Sequence, residues 1–189
     1  MSNLVDQYLL YRVRTKRDAE AFGRIYDAYV ESLYRFILLK VPSEQDAQDI
    51  SAETFTRAWQ FMLGQSEVTH IRALLYRIAR NLIVDFYRQQ RPTVSLNETV
   101  VTFDTSFTST TSEGDLHDNG ADAQVMEMRA EFSLALEKLS KLKDDYRDVL
   151  SLRLIDDLAF SDIARILETT VGNARVIYHR ALKALQDLH

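Results

Sequence analysis

HIRALLYRIARNLIVDFYRQQR, running from His70 to Arg91, is the stretch from which the chain is best read. Leu75, Ile78, Ala79, Leu82, Ile83 and Phe86 recur at helical spacing and share one face. At about 100° per residue, Arg77, Arg80, Asn81, Arg88 and Arg91 gather on the opposite face. Asp85 sits between the faces and is the only acid of the stretch, and Tyr76 and Tyr87 lie together on one flank. The spacing predicts one long amphipathic helix over 70–91. A guanidinium row bordered by aromatic rings suits nucleic acid, because arginine holds phosphate by charge and fork geometry and aromatic rings stack on unpaired bases. The solvated face of an ordinary core helix has the same look, and this helix alone leaves both readings open.

Composition narrows the class. A chain of 189 residues holds one domain or two small ones, and 46% hydrophobic residues suffice for a sizeable core. Only five Gly and two Pro, Pro42 and Pro92, interrupt a chain rich in helix formers, which predicts an all-α protein. The absence of Cys excludes disulfides, thiolate metal sites and thiol switches. No apolar run is long enough to span a membrane and no signal peptide opens the chain, so a cytoplasmic protein is expected. The net charge of −5 is unevenly placed. Between Pro92 and Val125 stand Glu98, Asp104, Glu113, Asp115, Asp118 and Asp122 with no base, whereas residues 1–91 carry 13 bases against 11 acids. Local patches govern binding more than the total does.

Working outward, Leu4 to Arg14 reads as a short first helix. Asp18 is a candidate N-cap for a longer one reaching about Lys40, with Phe22, Ile25, Tyr26, Tyr29, Leu33 and Phe36 as its apolar stripe. Pro42 stops it, and Ser43 with Asp46 three residues on resembles a capping start for a third helix that ends near Gly64. Pro92 to Ala123 is rich in Thr, Ser, Asp and Asn without helical periodicity and reads as an extended or disordered acidic linker. Helical patterns resume at Met126–Lys141, Asp144–Ile155, Phe160–Leu167 and about Val171–Leu188, with Tyr146, Val149, Leu150 and Leu154 expected inside the second of these.

The last two helices have helix-turn-helix spacing. Ile163, Ala164 and Leu167 form the inner face of the first, and Val171, Ala174, Tyr178, Ala181, Leu182 and Leu185 that of the second. Past Thr170, the outward side of the second carries Gly172, Asn173, Val176, His179, Arg180 and Lys183, with Arg175 at the border. No acid stands between Glu168 and Asp187, so this face fits a major groove, or else is basic only for solubility.

These segments together resemble the extracytoplasmic-function sigma factors of bacterial RNA polymerase. DAEAFGRIYDAYVESLYRF is similar to the opening of their first domain, and DAQDISAETFTRAW, Asp46 to Trp59, to the stretch that binds the clamp helices of the largest polymerase subunit. LLYRIARNLIVDFYRQQR is similar to their strand-opening, minus-ten segment. LKDDYRDVLSLRLIDDLAFSDIARIL followed by VGNARVIYHRALKAL is similar to the domain that reads the minus-thirty-five element. The resemblance covers roughly Asp18–Arg91 and Met126–Leu188. It implies two small helical domains, residues 1–91 and 126–189, joined by the linker 92–125, which in the family threads the polymerase and would order only there.

The resemblance assigns polymerase binding to Asp46, Asp49 and Glu53, with Ile50 giving apolar contact. It assigns minus-ten recognition to Asn81 on base edges and to Arg77, Arg80, Arg88 and Arg91 on phosphates, with an unstacked base held by the loop Gly64–His70 through Gln65, Ser66, Glu67 or His70. Helix-turn-helix contacts fall to Thr170, Gly172, Asn173, Arg175, His179, Arg180 and Lys183. The implied partners are core RNA polymerase and promoter DNA, with an anti-sigma factor or other recruiting protein as a further candidate.

Several positions depart from the family pattern. Ala52 stands where the family usually has Gln, and Glu168 where the helix-turn-helix turn usually has Gly, a position at which φ > 0 would strain any side chain. Asp157 and Ala159 replace a usual Gly and Ser before the first helix of the pair and weaken its cap. Val176 and Ile177 take the place of a polar pair on the recognition helix. No Walker loop, HExxH or nucleophile–base pair accompanies the four His, so no enzyme, metal or cofactor is expected. Two other readings stay open: a divergent sigma-like adaptor targeted to DNA by a partner, and a helix-turn-helix regulator acting without polymerase. DAQDISAETFTRAW argues against the last.

Overall fold

A computed structural model describes residues 3–64, 68–90, 134 and 137–188. Among them the protein is all-α. Four helices make the N-terminal half: α1 (Asn3–Lys16), α2 (Ala19–Leu38), α3 (Glu44–Leu63) and α4 (Ile71–Gln90). The C-terminal half comprises α5 (Asp144–Leu150), a π-helical turn (Ser151–Ile155), α6 (Phe160–Ile166) and α7 (Val171–Gln186). The linker 92–125, Gln65, Ser66, Glu67, Arg91 and most of the helix expected at Met126–Lys141 lie outside the described residues; 137–140 is helical.

The expected punctuation is present. The Asp18 carboxylate accepts from the Glu20 and Ala21 amides at 3.0 and 3.1 Å, and the Ser43 hydroxyl accepts from the Asp46 amide at 3.1 Å. Each satisfies orphan amides of a first turn. Ala159 opens α6 with no side-chain cap, as its methyl group dictates. Leu75, Ala79, Leu82 and Ile83 of the α4 stripe are buried, Leu75 and Ala79 at 0% exposure, and Ile78 and Phe86 are half-buried. Each large aliphatic so placed contributes about 1.5–3 kcal/mol. Buried residues of both halves form one cluster, and α4 packs against α6 as well as against α2 and α3.

Two local expectations fail for a geometric reason. Leu154, placed inside by α-helical spacing, is 57% exposed, and Leu152 is buried instead. The π-helical turn, closed by the Asp156 amide donating to the Ser151 carbonyl at 3.2 Å, adds a residue to the turn and rotates the residues beyond it. Val171 is 39% exposed in the first turn of α7, and the first buried residue of that helix is Ala174.

Candidate nucleic-acid and polymerase interfaces

α2 and α3 lie side by side, and their outer faces enclose an aromatic groove of about 650 Å³ lined by Phe22, Tyr26, Val30, Ala52, Phe55 and Trp59 among others. Phe22 packs on Trp59 with ring centroids 4.9 Å apart, and Tyr26 on Phe55 at 4.7 Å. Asp49 and Glu53 are exposed on the same helix as Ala52, whose methyl group leaves the groove open. Asp46 is half-buried and accepts from the Ser43 hydroxyl at 2.6 Å, so part of its carboxylate serves the helix start. Ile50 is a correction. At 7% exposure it faces the core, and Tyr26, 42% exposed, and Trp59 offer the apolar surface expected of it. The signal for this was the stripe Phe22, Tyr26, Val30, one position round from the core stripe of α2.

On α4 the predicted row divides. Asn81 and Arg88 point to solvent, Arg88 with Asp85 3.3 Å away. Arg77 and Arg80 instead reach the C-terminal half. Arg77 Nη1 donates to Glu168 Oε1 at 2.8 Å, Arg80 Nε to Asp148 Oδ2 at 2.6 Å and Arg80 Nη2 to Asp145 Oδ1 at 3.3 Å. One turn earlier, Arg72 Nη1 is 3.7 Å from Asp162. Tyr76 is not available for stacking on bases, and Tyr87 is half-buried. The Tyr76 ring is buried and its hydroxyl donates to Asp156 at 2.9 Å, and the Tyr87 hydroxyl donates to the Lys40 carbonyl at 2.6 Å. His70 sits at the start of α4, half-buried beside a small cavity of about 210 Å³ shared with Asp6, Tyr29, Arg72, Asp162 and Arg165.

Beneath these contacts lies a buried charge cluster. The Lys40 ammonium bonds Asp148 Oδ1, and both side chains are almost fully enclosed, at 6% and 5% exposure. Burial pushes the Lys40 ammonium below its ordinary value while Asp148 pulls it back up. Asp156, with its side chain 3% exposed, accepts from Tyr76 and lies 3.7 Å from Arg35. Burial holds its carboxyl above the ordinary 3.8, against the opposing pull of Tyr76, Arg35 and Arg72. Between that ordinary value and the raised one the folded chain binds more protons than the unfolded chain, so stability falls as pH rises through this window. Asp156→Asn keeps an acceptor for Tyr76 and is expected to abolish that fall. Unfolding midpoints of variant and parent compared from pH 4 to pH 8 should diverge in the variant's favour as pH rises; a constant difference would reject this account.

In the C-terminal pair α6 packs against α7, and Ala164 and Ala174 are buried. The Thr170 hydroxyl accepts from the Asn173 amide at 3.1 Å, and the Asn173 side chain donates to Thr169 at 2.8 Å, so both secure the turn. Gly172, Arg175, Val176, His179, Arg180 and Lys183 are exposed along the outer face of α7, and Arg175 stacks over Phe160 at 5.7 Å. Glu168 has φ 52 and Asp157 φ 45. Both acids standing where glycine was expected therefore occupy the left-handed region, at a cost on the order of 1 kcal/mol each.

Comparison with known proteins bears on both halves. The Sigma-70 region 2 profile matches residues 25–93 and the Sigma-70 region 4 profile matches residues 133–185. ECF RNA polymerase sigma factor SigW of Bacillus subtilis is 30% identical over 174 residues, which cover 90% of either chain. The RNA polymerase sigma-H factor of Pseudomonas aeruginosa is 30% identical over 185 residues, 95% of this chain and 91% of that one. Among solved structures, CnrH in complex with the cytosolic domain of CnrY superposes with a TM-score of 0.66 at 20% identity, covering 97% of this chain and 96% of that one, a likeness of fold. With both regions matched in order and a relative of this identity aligned along nine-tenths of its length, the chain belongs to the extracytoplasmic-function sigma factors of RNA polymerase.

Proposed function

We propose that the protein directs promoter-specific initiation by binding core polymerase through residues 1–91 and reading promoter DNA with α4 and α7, the segment 92–125 joining this unit to residues 126–189. The observation that carries the polymerase assignment is the aromatic α2–α3 groove with Asp49 and Glu53 exposed on its α3 side. Such a surface fits an amphipathic helix with basic flanks. The protein acts without catalytic chemistry of its own, in the cytoplasm where polymerase works, and an anti-sigma factor is the class of regulator proposed for it. Among the described residues no helix is long and apolar enough to cross a membrane, and no cluster of metal-ligating side chains occurs.

Labour divides unequally between the two DNA surfaces in this reading. Asn81 is exposed on α4 and presents both a donor and an acceptor, as base-edge recognition needs. On α7 the exposed Val176 contributes neither, and the cations beside it fit phosphates. Selectivity therefore rests mainly on the minus-ten side, and the minus-thirty-five side is held through the backbone or through a partner touching Val176 and Ile177. The experiment compares Asn81→Ala with Arg175→Ala in assembled holoenzyme across a random promoter library. Asn81→Ala should relax base preference in the minus-ten region, by about 1–3 kcal/mol of discrimination. Arg175→Ala should weaken all promoters about equally. A sharp preference for particular minus-thirty-five bases that depends on Arg175 would overturn this division.

A further inference from the structure

We infer that Val84 is a base-reading residue of α4, and that it recognises the C5-methyl group of a thymine beside the base read by Asn81. The inference rests on the reading of α4 as a promoter-reading helix. Among the described residues of α4, only Asn81, Val84, Arg88 and Gln89 are exposed. Val84 keeps 51% exposure although the C-terminal half packs on this helix and takes up Arg77 and Arg80. At about 100° per residue, its direction falls inside the arc that runs from Arg80 through Arg77 and Arg88 to Asn81. Within residues 77–88 it is the one apolar side chain of that arc.

A lone exposed valine is ordinary on a solvated helix. This one stands in a row of cationic and hydrogen-bonding groups suited to DNA, and it offers neither charge nor a hydrogen bond. What a base edge presents to such a side chain is the C5-methyl of thymine, which cytosine, adenine and guanine lack. Asn81 and Val84 are three residues apart, about 4.5 Å along the helix axis. That rise is comparable with the roughly 3.4 Å between successive bases of a strand. One turn of α4 thus serves two neighbouring bases. The Asn81 amide takes the hydrogen-bonding edge of the first, the Val84 methyl groups meet the methyl of the second, and exposed Arg88 takes a phosphate alongside. Bringing the methyl groups together removes apolar surface from water on both sides, which is worth about two- to fivefold in affinity.

The test uses holoenzyme assembled from core polymerase and the full chain, on the promoter that the random library selects. Each thymine of the minus-ten region, on either strand, is replaced in turn by deoxyuridine, which removes the C5-methyl and changes nothing else. Parent, Val84→Ser and Val84→Ile are compared by equilibrium binding. Serine has a helix propensity close to that of valine and the site is exposed, so the fold is undisturbed, as circular dichroism checks. In the parent and in Val84→Ile, deoxyuridine at one thymine should lower affinity about two- to fivefold. In Val84→Ser the same replacement should change nothing, and the library should lose its preference for thymine over cytosine at that position. Absence of any methyl-sensitive thymine in the parent would overturn the inference. So would a thymine that stays methyl-sensitive in Val84→Ser, or a uniform loss in Val84→Ser that ignores the methyl group, which would put Val84 against protein. Asn81→Ala separates this failure from that of the underlying reading. If it still relaxes base preference in the minus-ten region, α4 reads promoter DNA and Val84 alone is misassigned. If neither Asn81→Ala nor Val84→Ser alters any base preference, the reading of α4 falls as well.

Discussion

Asp148→Ala is expected to destabilise the fold by about 3–5 kcal/mol, the cost of leaving a buried charge without its partner. Asp148 lies at the centre of the contact between the halves, bonded to Lys40 on one oxygen and to Arg80 on the other. Lys40 cannot turn to water. Its ammonium lies 4.5 Å from the centre of the Phe36 ring, and its side chain is 6% exposed. Alanine at 148 leaves that ammonium buried near the Arg80 and Arg147 guanidinium groups, with the Phe36 face replacing a small part of the lost carboxylate. Arg80 suffers less, because it is more exposed and retains Asp145. Asp148→Asn should cost less than alanine, since an amide oxygen still accepts from Lys40. The double variant Lys40→Met with Asp148→Leu should recover most of the loss, because apolar side chains of similar volume need no partner. Urea unfolding of the four proteins decides the matter. A loss below about 1 kcal/mol for Asp148→Ala would mean that the pair is not enclosed in solution and that the halves separate readily.

Much of the architecture is legible in the sequence, and the misses have a common cause. The periodicity of α4 and the caps at Asp18 and Ser43 arise from residue type and local spacing, whereas the weak start at Ala159 and the strained turn at Glu168 are expected from the family resemblance. What escapes is whatever depends on a distant segment or on a change of helical period. Arg77 and Arg80 are indistinguishable in sequence from a solvated row, and only the packing of α6 on α4 brings Glu168 and Asp148 to them. Tyr76 reads as a flank aromatic until Asp156, 80 residues later, accepts its hydroxyl. Leu154 is misplaced because the π-helical turn leaves no mark in hydrophobic spacing. Ile50 is misassigned for a subtler reason. The resemblance supplied a role for its segment, whereas the core of α3 claims the residue, and the groove that replaces it is formed jointly with α2.

The double reversal Asp49→Lys, Glu53→Lys should lower affinity for core polymerase on the order of 100-fold while leaving helical content intact. Both residues are exposed, and among the described residues their polar contacts are local: Gln45 donates to Asp49 at 3.1 Å and Arg57 to Glu53 at 2.7 Å, each within one turn. Such surface pairs are worth at most about 1 kcal/mol, so the fold should tolerate the change. The loss on binding is larger because two attractive contacts become repulsive in a partly dehydrated interface, and 1.4 kcal/mol for each tenfold makes a hundredfold loss about 2.8 kcal/mol. The groove supplies an independent arm of the same test. Tyr26→Ala removes an exposed ring from the floor without altering charge, so it should weaken binding with little change in salt dependence. The reversal should instead flatten the dependence of affinity on salt, since long-range attraction is what it removes. Titration of labelled protein with core polymerase at low and high salt, beside circular dichroism of each variant, measures both. If affinity is unchanged in the double reversal and in Tyr26→Ala, the polymerase does not dock on the α2–α3 face, and the exposed acids there are ordinary helix solvation.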